Sequence, residues 1–183
     1  MTTVVPAILF VFLIVFGFIF IYFTVKVDKL DSETRDKSSE IDGGLWDRAF
    51  QLTKLVEILD QKGIEHDIEP LNINGFGLGM STLLQSTNSE ALDGLDRKLK
   101  EVLKDHPELE EDEEFKTHLD KFNNARAELM KASLAYNKSV NVYNSKISAF
   151  PASAVAAFHK KKSKVTFMYF FGNLNEIKQE DKE

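Results

Sequence analysis

From Val4 to Val25 the chain reads VVPAILFVFLIVFGFIFIYFTV, a run without a single charged side chain. As a helix it spans roughly 33 Å at 1.5 Å per residue, which matches a hydrocarbon core of about 30 Å. About seventeen Val, Ile, Leu and Phe residues, each worth about -0.3 to -0.6 kcal/mol, favour insertion by several kcal/mol. Pro6 falls in the first turn, where a missing N–H costs little. Tyr22 lies near the exit, where an amphipathic ring suits the interface. A cleaved signal peptide would need a basic start, a shorter apolar run and a small-x-small site before Lys26, and none of these is present. A buried core helix would need a polar face. The segment is therefore read as a transmembrane helix.

Of the 183 residues, about 150 follow this anchor, which is one domain by ordinary size and enough to bury a core without staples. There is no cysteine, which excludes disulfides, thiolate metal sites and cysteine nucleophiles. The formal charge of -6 sits wholly beyond the anchor, because the first charged side chain is Lys26. A net acidic domain makes a poor nucleic-acid binder, so no such partner is expected. Lys26, Lys29, Arg35 and Lys37 follow the span, whereas only the α-amine precedes it. The positive-inside rule then puts the N-terminus outside and the domain in the cytoplasm.

The expected fold class is all-α: an N-terminal single transmembrane helix followed by an antiparallel bundle of long helices. The chain divides into a short N-terminus (1–3), the transmembrane helix (4–25), a stalk (26–40), the helical bundle (41–158) with a glycine-rich loop (63–79), and a basic and aromatic segment with a charged tail (159–183). Val27, Leu30, Thr34, Ile41, Leu45, Leu52, Leu55 and Leu59 follow a near 3-4 repeat, so the anchor can continue as one long helix. Residues 31–40 are almost wholly polar, as a solvated helical stalk or a coil-like linker would be. Gly43 and Gly44 weaken the helix by about 1 kcal/mol each relative to Ala, and Gly63 marks its end.

In the loop, Pro70, Gly75, Gly77 and Gly79 exclude a helix. Its apolar residues, among them Phe76 and Leu78, either fold back on the bundle or touch lipid or another subunit. Ser89 to His106 reads as an amphipathic helix capped by Ser89, with the stripe Leu92, Leu95, Leu99 and Val102/Leu103, ended by Pro107. Glu108 to Glu114 is an acidic start to the next helix, favourable to its dipole. A calcium site is the competing reading, but alternating ligands and a turn glycine are missing. From Phe115 to Phe150 the stripe Phe115, Leu119, Phe122, Ala125, Leu129, Ala132, Tyr136, Val140, Tyr143 and Ile147 argues long antiparallel helix packing. Lys160, Lys161, Lys162 and Lys164 then precede the aromatic run Phe167 to Phe171. This arrangement suits either an anionic membrane surface or a solvated turn before a docked segment.

No set of residues suggests catalysis or metal binding. His66, His106, His118 and His159 share no metal-ligand spacing. GFGLG at Gly75 lacks the preceding strand and third glycine of a nucleotide loop. No cofactor is expected, and no enzyme.

The run Tyr136 to Pro151, YNKSVNVYNSKISAFP, resembles the C-terminal signature of the LemA family, YN-x-x-V-x-x-YN-x-x-I-x-x-FP. Its fixed positions are Tyr136, Asn137, Val140, Tyr143, Asn144, Ile147, Phe150 and Pro151. Upstream, His106 to Phe115 is similar to the family's YPDLKANENF segment, keeping Pro107, Leu109, Glu113 and Phe115. Ile41, Asp42, Leu45, Arg48, Leu52, Leu55, Val56 and Glu57 resemble its first-helix pattern. Thr53 stands in place of the family's proline, His106 in place of its tyrosine, and Ser133-Leu134 in place of an arginine pair.

The resemblance implies a bacterial inner-membrane protein built as a long-helix bundle, without a defined enzymatic activity. By analogy with a magnetosome-membrane relative it implies a role in membrane organisation. These motif residues are expected to set packing and register. Asn137 and Asn144, flanking the stripe, suit bonds across to a neighbouring helix or a subunit contact. The partners expected are the lipid bilayer, a second copy of the chain in a homo-oligomer, and possible protein ligands of the acidic face. Phe76, Leu78, Lys160, Lys161, Lys162 and Lys164 are the candidate lipid or subunit contacts.

Overall fold

The computed structural model describes residues 4–77 and 79–168. Leu78, the N-terminal residues 1–3 and the end of the aromatic run with the charged tail, 169–183, lie outside the described residues. Among the described residues the regular structure is helical: α1 (Val4–Lys62), α2 (Thr82–Asp105), α3 (Glu113–Ser148) and α4 (Ala152–Phe158), with short 3-10 turns at Ile73–Gly75 and Pro107–Glu111. The all-α expectation holds. Packing groups the described residues into two units, those within Met1–Lys37 and Ala135–Thr166, and those within Ser38–Leu134 and Phe167–Glu183. Helices α1 and α3 contribute to both.

In the first unit the apolar part of α1 is exposed along its described length, from Ile8 through Val25 on most faces. It is long and apolar enough to cross a membrane. One turn later the same helix acquires a core: Val27 packs with Tyr143, Ile147, Ala152 and Ala156, flanked by Phe23 and Leu30. Thr34 is also buried, and its hydroxyl donates to the Leu30 carbonyl at 2.7 Å. Residues 31–40 are thus helix and not coil.

In the second unit α1 runs antiparallel to α3. Gly44 faces Leu129, and Gln51 meets His118 at 2.7 Å. Ile41, Leu45, Leu52, Leu55, Val56 and Leu59 of α1 are buried, as are Phe115, Phe122 and Leu129 of α3, so the two stripes form the core. The helix passes through Gly43–Gly44 without interruption. An added Cβ at Gly44 would meet Leu129 at an ordinary 3.5 Å, whereas one at Gly43 would meet nothing. Gly43→Ala is therefore expected to raise stability by about 1 kcal/mol. A fall in the urea midpoint, read from Trp46 fluorescence, would count against this.

Helix α1 stops at Gly63, whose φ of 69° suits glycine, with Ile64 N–H donating to the Leu59 carbonyl at 3.0 Å. Helix α2 begins seven residues before the expected start. Its cap is Ser81, whose Oγ accepts from the Leu84 N–H at 3.3 Å, and Ser89 is buried within the helix. The reason is that the first two turns bury Gln85 and Ser86, polar residues that give no apolar stripe. Helix α3 starts at Glu113, where Asp112 Oδ1 accepts from the Phe115 N–H at 2.8 Å.

Candidate functional site

The polar residues of the family-like motifs are spent on holding segments to helices. In the first unit the clamped segment is the irregular chain after α4. Asn144 grips it twice: its Nδ2 donates to the Lys164 carbonyl at 2.8 Å, and its Oδ1 accepts from the Lys164 N–H at 2.9 Å. One residue on, the Val165 carbonyl accepts from the Tyr136 hydroxyl at 2.9 Å. The expected cross-helix bond of Asn144 is thus a bond to non-helical main chain. Asn137, the next residue after Tyr136 on α3, is half-buried. Val140, Tyr143 and Ile147 are buried as the stripe requires, and Pro151 is half-buried.

The same segment is held by charge. Lys161 Nζ lies 3.0 Å from Asp28 and 2.8 Å from Asp31, and Lys164 Nζ lies 2.8 Å from the other Asp31 oxygen. Partial burial pushes the Asp31 carboxyl up, but hydrogen bonds from Lys161 and Lys164 outweigh it and hold it below its ordinary value. Lys161 is raised, chiefly by its hydrogen bonds to Asp31 and Asp28. Burial, and then the Asp31 charge, raises the Tyr143 phenol, over whose ring Lys164 Nζ sits at 5.3 Å. Of the four lysines that were candidates for a lipid or subunit contact, Lys161 and Lys164 therefore turn inward, while Lys160 and Lys162 are exposed.

Asn144→Ala removes both grips and is expected to cost about 1–2 kcal/mol. It should speed amide exchange at Lys164, and unchanged exchange there would refute the clamp.

In the second unit Asp42 and Arg48 of α1 hold α2 and the glycine-rich loop. Asp42 Oδ1 accepts from Gln85 Nε2 at 2.6 Å, and its Oδ2 accepts from the Gly79 N–H at 2.7 Å. Gln85 also donates to the Ser38 carbonyl at 3.0 Å. Gly79 has a φ of 88°, so the loop ends in a conformation only glycine adopts freely. Within the loop Ile68 is buried and Phe76 half-buried.

Arg48 is fully buried, 4.9 Å from the Phe122 ring centroid. Its Nη1 lies 2.7 Å from Asp93 and its Nη2 3.9 Å from Asp96. The close contact is too poorly aligned to count as a hydrogen bond, so Coulomb attraction holds the pair. Asp96 also meets Arg126 at 3.4 Å and Lys100 at 3.5 Å. Asp93, Asp96 and Gln85 did not stand out in the sequence, since their partners lie far along the chain.

The acidic stretch divides its labour. Leu109 is buried and Pro107 opens the 3-10 turn. Asp112 binds Lys62 at 2.7 Å, and its carboxyl is lowered first by that contact and then by the Phe115 N–H. Glu108, Glu110, Glu111, Glu113 and Glu114 are exposed. Among the described residues no group of three or more His, Asp or Glu side chains is arranged to hold a metal.

The family model described as LemA family matches residues 80–177. No curated protein and no solved structure matches the chain. The matched stretch excludes Ile41, Asp42 and Arg48 of α1, a narrower span than the resemblance read from the sequence. It takes in α2, α3 and α4 with both Tyr-Asn pairs and Phe150–Pro151, more than half of the 183 residues, and the chain belongs to the LemA family.

Proposed function

We propose that this protein is a single-pass, membrane-anchored scaffold of the bacterial inner membrane that self-associates and organises or shapes the bilayer, without catalysing a reaction. The observation that carries this reading is the continuity of α1. The exposed apolar stretch ending at Val25 and the packed, ion-paired stretch from Val27 to Asp31 are one helix. A tether of that kind transmits orientation to the domain, as a loose linker would not. Lys26, Lys29, Arg35 and Lys37 favour a cytoplasmic domain and an outside N-terminus.

The α3 stripe is used within the chain, so self-association would draw on other apolar side chains, such as the exposed Leu83 and Leu84 of α2 and Leu134 of α3. The test is mass measurement of the full-length protein in lipid, with imaging of the liposomes that carry it. Oligomers and remodelled liposomes are expected. A monomer that leaves liposomes unaltered would end the proposal.

A membrane-tethered adaptor is the second reading, favoured by the five exposed carboxylates between Glu108 and Glu114. It predicts salt-sensitive binding of one basic soluble protein, abolished by charge reversal at Glu110, Glu111 and Glu114.

A further inference from the structure

Ala149 to Phe158, AFPASAVAAF, contains no charged residue. The segment closes the end of α3 and forms α4. Ala152, Val155 and Ala156 turn inward and are buried. Ala149, Phe150, Ala154, Ala157 and Phe158 turn outward, Phe150 with 84 % and Phe158 with 72 % of its surface exposed. Two nearly bare phenylalanines on an uncharged elbow need an occupant.

The contacts of the elbow with α1 identify it. The Phe158 ring lies edge-on to the Phe20 ring, with centroids 5.4 Å apart, and His159 Nε2 lies 3.5 Å from Thr24 Oγ1. Lys146, just before the elbow, places its Nζ 5.1 Å from the Phe23 ring centroid. Phe20 is five residues inside the end of the apolar run, or about 7–8 Å along the helix axis. A bilayer crossed by α1 therefore reaches the level of Phe158.

The charges fit as well. Lys160 and Lys162 are exposed beside the elbow, and the neighbouring Asp28 and Asp31 are already paired with Lys161 and Lys164. Aromatic side chains flanked by exposed cations suit the edge of a leaflet with anionic headgroups.

We propose that the Phe-Pro elbow, Ala149 to Phe158, is a second membrane contact that inserts Phe150 and Phe158 into the leaflet on the domain side, beside the α1 span. The inference rests on the proposed crossing by α1. The contact braces the domain against the bilayer directly beside the anchor.

The chain has no cysteine, so single cysteines can be labelled without background. Phe150→Cys and Ala157→Cys report the elbow, the latter leaving the Phe20–Phe158 contact in place. Val142→Cys, exposed on α3, is the aqueous control, and Phe12→Cys reports the span. Each full-length variant carries an environment-sensitive fluorophore in phosphatidylcholine–phosphatidylglycerol vesicles, quenched by nitroxide lipids or by iodide. We expect positions 150 and 157 to be quenched several-fold more by nitroxide lipid than position 142, and shielded from iodide. Iodide quenching there equal to that at 142, with position 12 in lipid, overturns the elbow contact and leaves the anchor standing. Shielding from both quenchers means a second copy covers the elbow, which also overturns it. If position 12 escapes nitroxide lipid, the span itself fails and the inference falls with it.

Discussion

Arg48→Ala is expected to destabilise the unit containing Ser38–Leu134 by about 3–5 kcal/mol, the cost of removing one partner of a buried ion pair. The guanidinium is fully buried among Asp93, Asp96 and the Phe122 ring. Without it Asp93 loses the cation 2.7 Å away, whereas Asp96 keeps Arg126 and Lys100. Arg48→Met preserves much of the volume and should lose nearly as much, because the isolated carboxylate carries most of the penalty. Adding Asp93→Leu to Arg48→Met should recover a large part, since an apolar replacement of both partners can be neutral. The single tryptophan, Trp46, stacks on Phe50 within the same unit and reports its unfolding. An unfolding free energy for Arg48→Ala within about 1 kcal/mol of the parent protein's would show that the buried pair contributes little.

The second large effect is at Asp31, where one carboxylate holds two lysines. Asp31→Ala is expected to release residues 161–165 at a cost of about 2–3 kcal/mol, as loss of charge-assisted hydrogen bonds does. Acid should reproduce the variant. The carboxyl is held below its ordinary value of 3.8, so its stabilising contribution is complete above that pH and is lost as pH falls through the lowered folded value. Lys161 behaves oppositely. Raised above 10.5, it contributes fully below that pH and loses its contribution as pH climbs through the folded value. The clamp is therefore strongest across the wide interval between the two. Proteolysis or amide exchange at residues 161–165 measures it. Protection that is the same in Asp31→Ala, and indifferent to acid, would refute this account.

The parts of the fold written in apolar periodicity are legible in the sequence alone. The stripes of α1 and α3, the stop at Gly63 and the break at Pro107 all stand where their chemistry put them. The buried polar residues are not. Gln85 and Ser86 occupy core positions while reading as surface, which concealed the first two turns of α2. Arg48 stood out by resemblance alone, because an arginine on an apolar stripe reads as an interruption until Asp93 and Asp96 come into view. The Asp31 clamp needed a partner 130 residues away, and no local pattern encodes such a pairing.

The grip of Asn144 and Tyr136 falls on main-chain atoms of Lys164 and Val165, which every residue type except proline can present at both positions. Ser163 and Val165 are exposed, so their side chains carry none of the attachment. Substitution at these two sites can therefore drift through homologues almost freely while the segment stays fastened. Comparison of related sequences would then find firm agreement at Tyr136, Asn144 and Lys164, and its weakest at Ser163 and Val165 on either side of Lys164.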